Sequence, residues 1–220
     1  MLAQLELAEA EQRIEMDEER GDRANVGFVR GALEVSPGLR FYSTGGTFDL
    51  LATVLGRGAH LVAVSDYTGQ PEMKGGLVKT LDWKIYLGLL AESGDAEHSA
   101  DLARTQAVAF DMVVANLYPF AEAAADPAVG PEDLRQRIDI GGPSMIRAAA
   151  KNYLRVASVS HPSQYGGVLG ELRETKGRTR LETRRRLAAQ AFALTSAYDA
   201  TISAKLSGLS REVLAQAYGL

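Results

Sequence analysis

Short apolar runs alternate along most of this chain with stretches whose apolar residues recur at helical spacing. Phe28–Leu33 reads as a short helix, ended by the breakers Ser36-Pro37-Gly38. Leu39–Tyr42 reads as a strand that runs into Ser43-Thr44-Gly45-Gly46-Thr47 and a helical stretch, FDLLATVLGRG. Strand, glycine turn and helix open a βαβ unit. His60–Val64 is a second strand, and residues 72–92 mix helical and loop signals. Asp111–Leu117 is a buried strand stopped by Pro119, followed by a Pro/Ala/Gly connection. PEDLRQRI then reads as a helix whose acidic first turn suits the helix dipole. Another helix is expected from about Ser144 through SMIRAAAKN, and Val156–Val159 forms a last strand. From Leu181 to Leu206 a nearly unbroken helix is expected. The first two dozen residues are strongly charged, and their pattern does not decide between a strand and a frayed extension. The class is α/β: a mainly parallel sheet with helices on both faces and a C-terminal helical extension.

Composition narrows the function. A net charge of −4 disfavours nucleic acid as the main partner, since a phosphate backbone demands a basic surface. With no cysteine, thiolate chemistry, disulfides and cysteine metal sites drop out together. His60, His98 and His161 are scattered and make no convincing metal site. No apolar run reaches membrane-spanning length, and the acidic start lacks the basic region of a signal peptide, so a cytoplasmic protein is expected.

Two segments stand out chemically. In Thr44-Gly45-Gly46-Thr47 a helix start offers backbone N–H groups, glycines permit close approach, and hydroxyls add donors for a phosphate. A plain tight turn would need the same glycines. In Ile138-Asp139-Ile140-Gly141-Gly142-Pro143, a carboxylate between isoleucines is costly unless paired or used. The N–H groups of Ile140, Gly141 and Gly142 suit an oxyanion, while an N-capping aspartate is the plainer alternative. Lys151 lies on the helix this turn opens, and Asp139 is its expected ion-pair partner. Lys79 and Tyr118 are weaker signals taken alone: one reads as a surface charge, the other as core packing at a strand end.

Together STGGT (43–47), VSDYTGQPEM (64–73), GGLVKTL (75–81), VVANLYPF (113–120), IDIGGPSMIRAAAKN (138–152) and LETRRRLAAQAFALTSAYDA (181–200) resemble a known family. It is the IMP cyclohydrolase part of the bifunctional purine enzyme, which has a methylglyoxal-synthase-like fold. The resemblance covers roughly residues 28–207, with 1–27 a divergent N-terminal segment and 208–220 a tail. It implies dehydrative closure of a formamidoimidazole carboxamide ribotide to inosine monophosphate, without metal or organic cofactor. Lys151 and Asp139 would carry protons, and Lys79 and Tyr118 would bind and polarise the reacting groups. Ile140 and Gly141 would receive the oxyanion. Thr44, Gly45, Gly46, Thr47, Thr80 and Asn116 would hold ribose phosphate and base. The family continues into a formyltransferase, so a free-standing domain, with or without a separate formyltransferase as partner, is expected.

The chain also departs from the family pattern. Leu77 stands where the family has arginine, and Leu81-Asp82-Trp83 with Tyr86 stands for a Leu-His-Pro segment and a second histidine. Tyr153 replaces a further histidine, and of the N-terminal phosphate loop only Asp22-Arg23 is visible. Arg23 or Lys74 would supply the missing charge. Two other readings share the fold: a ligand-sensing module without catalysis, and a methylglyoxal-producing lyase. A homodimer is expected, because Leu187, Phe192, Leu194, Tyr198 and Ile202 spread apolar surface around the long C-terminal helix.

Overall fold

The computed structural model describes residues 4–8, 18–56, 58, 60–71, 78–117 and 119–219, with side chains from residue 25 onward. Five strands, β1 (Gln4–Ala8), β2 (Arg40–Ser43), β3 (Leu61–Ala63), β4 (Met112–Ala115) and β5 (Ala157–Val159), form one sheet in the order β3-β2-β1-β4-β5. Every pairing is parallel. The central strand therefore comes from the N-terminal segment whose pattern was undecided.

Helices cover both faces. The first third of the chain contributes α1 (Glu18–Val35), α2 (Gly45–Leu55) and α3 (Val64–Thr68). Next come α4 (Trp83–Leu90), α5 (Ala96–Thr105), α6 (Phe120–Ala125), α7 (Pro131–Gln136) and α8 (Gly141–Lys151). The chain finishes with α9 (Tyr165–Glu174), α10 (Leu181–Ser207) and α11 (Arg211–Tyr218). The sheet's alternation sorts the core into two layers. Met112 and Val114 of β4 pack with Phe28, Val29, Leu51, Val168 and Leu172 from α1, α2 and α9. Val113 and Ala115, one residue out of phase, pack with Ile85, Leu89, Met145, Ile146 and Ala149 from α4 and α8. All four β4 side chains are buried, as a strand covered on both faces requires.

Five helices, α3, α5, α6, α9 and α11, lie where no helix is expected from the sequence, α11 within the segment read as a tail. α5 buries no residue, so it has no apolar stripe to read; it is started by Asp95, whose carboxylate accepts from Glu97 and His98 N–H. α1 begins ten residues before the expected Phe28, because its first turns are charged. α8 begins at Gly141 and not Ser144; proline is tolerated in a first turn, so Pro143 does not delay it. α10 keeps the expected span, yet Leu187 and Tyr198 are buried within the chain itself. Of the five residues offered for a dimer face, Phe192 is the one that stays exposed.

Candidate active site

The topology sets the place. After β3 the chain crosses to the other side of β1, so strand order reverses between β1 and β4. Ligands of open parallel sheets bind outside the C-terminal strand ends at such a reversal. Three candidate segments leave the sheet on this edge. Thr44 follows β2, Asn116 follows β4, and α8 opens against Leu117, which lies 3.1 Å from where a Cβ on Gly142 would be.

At α2 the helix start is open. Thr44 has extended backbone and makes no side-chain cap, Gly45 sits at φ +51°, and Thr44 and Thr47 are both buried. First-turn N–H groups without a cap are an anion's natural partners. Asn116 lies deeper in the reversal. Its Nδ2 donates to the Tyr165 hydroxyl at 3.0 Å, and that hydroxyl donates to Asn25 Oδ1 at 2.6 Å. Burial pushes the Tyr165 phenol up to about 12, so it remains a donor at neutral pH.

The Asp139 turn is held from three sides. Gly142 N–H donates to Asp139 Oδ1 at 3.0 Å, and the Asp139 N–H donates to the Tyr198 hydroxyl of α10 at 2.9 Å. Thr80 Oγ1 would lie 2.8 Å from a Cβ on Gly141, which brings Lys79-Thr80 against the turn. Burial raises the Asp139 carboxyl above the usual carboxylate range, and the Gly142 and Gly141 N–H groups partly offset this. Ile140 is the N-cap residue of α8, and Asp139, one residue earlier, supplies the half-buried carboxylate that accepts from the first-turn Gly142 N–H. The Gly142 N–H is consequently committed to Asp139 and is not available to an oxyanion. Lys79 is half-buried beside this turn, and Ile140 next to Gly141 is 59% exposed.

One expected contact is absent. Asp139 sits at the start of α8 and Lys151 at its last turn, ten residues beyond Gly141 or about 15 Å along the axis. α4 runs beside α8 in the same direction, with Thr80 meeting Gly141 at one end. At the other end the Asn152 amide donates to Leu89 and Ala91 carbonyls. Lys151 is thus exposed at the opposite edge of the sheet, and neither it nor Asp139 forms an ion pair among the described residues. The helix does not start late enough for a lysine leaning backward to span the gap.

Other candidates are placed more simply. Asp82, standing where the resembled family has histidine, accepts from Lys84 N–H at 2.8 Å and caps α4. Tyr118, Lys74 and Leu77 lie outside the described residues, and Arg23 is on α1 with its side chain outside them. Sequence reading missed Asn25, Tyr165 and Tyr198. Tyr198 lies within LTSAYDA, but its helical spacing marks it as packing; only the structure shows its hydroxyl reaching the Asp139 turn. Tyr198→Phe should keep the ring against Phe120 and strand the Asp139 N–H. An expected loss of about 1–3 kcal/mol is read from urea denaturation.

Residues 27–144, more than half of the chain, match the MGS-like domain family. The chain belongs to the MGS-like domain family. Beyond the MGS-like segment, residues 149–218 match the AICARFT/IMPCHase bienzyme family. The bifunctional purine biosynthesis protein PurH of Synechococcus sp. (strain WH7803) is 47% identical over 166 residues, covering 76% of this chain and 31% of that protein. PurH of Bacillus cytotoxicus is 46% identical over 178 residues, 81% of this chain and 34% of the relative. The chain spans about a third of the length of the curated relatives it matches. Among solved structures, the crystal structure of ForH superposes with a TM-score of 0.73 at 31% identity, covering 94% of this chain and 97% of that one. The resemblance read from the motifs and the MGS-like fold are both borne out.

Proposed function

We propose that the chain closes the formamidoimidazole carboxamide ribotide to inosine monophosphate, releasing water. The observation that carries this reading is the Asp139 turn itself. A desolvated carboxylate, glycine N–H groups and the Lys79-Thr80 segment converge at the C-terminal edge of the sheet, the edge from which the uncapped α2 helix also starts. The carboxamide nitrogen attacks the formyl carbon and one of its protons passes to the formyl oxygen, giving a carbinolamine; the hydroxyl then leaves as water with the proton of the former formamide N–H, and the C=N bond of the ring forms. An amide is a weak nucleophile, so the site must hold the two groups together and handle both protons. Asp139 takes the nitrogen's proton, while Lys79 and Tyr118 polarise the formyl oxygen and the Ile140 N–H faces it; the Gly141 N–H is shared with the Asp139 carboxylate. Thr44, Gly45, Gly46 and Thr47 hold the phosphate, with Arg23 as added charge. Thr80 and Asn116 hold the remainder of the ribonucleotide. On this reading the protein works in the cytoplasm on a product of formyl transfer, made by a formyltransferase that is either joined to it or separate.

Lys151 needs a different place in the proposal. Being about 15 Å along α8 from Asp139, it can meet the reacting atoms only from a second copy, which links its role to a homodimer. Mixing tests this. Asp139→Asn and Lys151→Ala proteins, each inactive, should regain activity when combined, because one site of the mixed dimer is then intact. If the mixture stays inactive, Lys151 has no shared role. The reading as a whole is checked by following inosinate formation from the pure protein; binding without turnover would favour the sensing module.

A further inference from the structure

The cluster of Asn25, Asn116 and Tyr165 lies where α1, β4 and α9 meet at the strand-order reversal, and the Tyr165 hydroxyl is its hub. A phenol has one proton. Tyr165 spends it on Asn25 Oδ1 at 2.6 Å, so its oxygen must accept from Asn116 Nδ2, 3.0 Å away. That fixes the orientation of an amide that could otherwise turn over at little cost. Nδ2 is directed at the protein, with a second, longer approach to Asn25 Oδ1 at 3.5 Å, while Oδ1 has among the described residues only a marginal 3.4 Å approach of the same hydroxyl and keeps its accepting capacity. The ring of Tyr165 is itself fixed against Phe28, with centroids 4.8 Å apart.

We infer that Tyr165 and Asn25 are positioning residues that hold Asn116 with its carbonyl oxygen presented to a hydrogen-bond donor of the bound ribonucleotide. This rests on the ring-closure reading. The donor is a ribose hydroxyl or an N–H of the base, and both require the same presented acceptor. Without the Tyr165 hydroxyl the amide keeps only the long 3.5 Å approach to Asn25 Oδ1 and is no longer held firmly in one orientation. The cost falls on binding and not on the chemical step, because no atom of the cluster is assigned to proton transfer.

The test uses the full chain with three variants and two nucleotides. Tyr165→Phe keeps the packing on Phe28 and should raise KM, and the calorimetric Kd for inosine monophosphate, about tenfold, with kcat within about twofold. Asn25→Ala should behave alike, whereas Asn25→Asp keeps an acceptor for the phenol and should restore near-native KM. If the donor is the 2′-hydroxyl, Tyr165→Phe also narrows the preference for inosine monophosphate over its 2′-deoxy form; if it is on the base, both weaken equally. Unchanged KM and Kd in Tyr165→Phe would overturn the inference, as would Asn25→Asp behaving like Asn25→Ala. Wild-type protein that fails to bind inosine monophosphate at all overturns the ring-closure reading itself, and that outcome is seen before any variant is examined.

Discussion

Replacing Asp139 by Asn should lower kcat by about 10²–10⁴ while leaving the protein as stable as before, or more so. The two halves of this expectation have one cause. Burial raises the carboxyl above its unfolded value, so the folded state holds the proton longer than the unfolded state does. Its contribution to stability is then fully present below the unfolded value and declines as pH rises through the folded one. Asparagine keeps a carbonyl oxygen for the Gly142 N–H and carries no charge to desolvate. The melting temperature of the variant should therefore gain on wild type as pH rises from the carboxyl's unfolded value, about 4, through its raised folded one. A kcat equal to wild type would remove Asp139 from the chemistry, and a large fall in melting temperature at neutral pH would show that its charge stabilises the turn.

Gly142→Ala should damage activity and stability together. A Cβ at this position would stand 2.3 Å from Asp139 Oδ2 and 3.1 Å from Leu117 Cδ2, so the carboxylate must leave its place. Overpacking of this kind costs about 1–3 kcal/mol. Displacing a reacting group by about 1 Å costs about 10² in rate. Gly141→Ala makes a useful comparison, because its Cβ would meet Thr80 Oγ1 at 2.8 Å and press on the binding segment instead. The pair separates the two halves of the turn: kcat should fall most in Gly142→Ala, and KM should rise most in Gly141→Ala. Equal effects on both constants in both variants would mean the turn acts only as a structural joint.

These two glycines also show how far the chain can be read without coordinates. The sequence marks the turn, because an aspartate between isoleucines ahead of two glycines is costly without a purpose. It also marks β2, β4, β5 and α10, whose apolar residues follow one period throughout. It cannot mark β1, whose five residues QLELA alternate too briefly within a charged stretch. Nor does it mark α5, which has no buried side. The Asp139–Lys151 pairing failed for a geometric reason. Twelve positions of separation look short along a sequence, but helix fills nearly all of them and converts them into distance. Tyr198 and Asn25 escaped notice because their partners lie 59 and 91 residues away, beyond any local pattern.

The placement of β1 has a consequence for how the chain reaches this state. Leu5 is paired with Met112, so 107 residues must exist before the middle of the sheet can close on its second side. At about 5–20 residues per second of synthesis, the first strand waits roughly 5–20 s for its partner. During that interval β2 can already lie beside it, while its other edge offers unpaired backbone to any extended segment nearby. Parallel pairings this remote in sequence form slowly. The emerging polypeptide is therefore most vulnerable to aggregation before residue 112 is made. Shielding of that edge by chaperones, more than the stability of the finished sheet, should govern how much active protein a cell recovers.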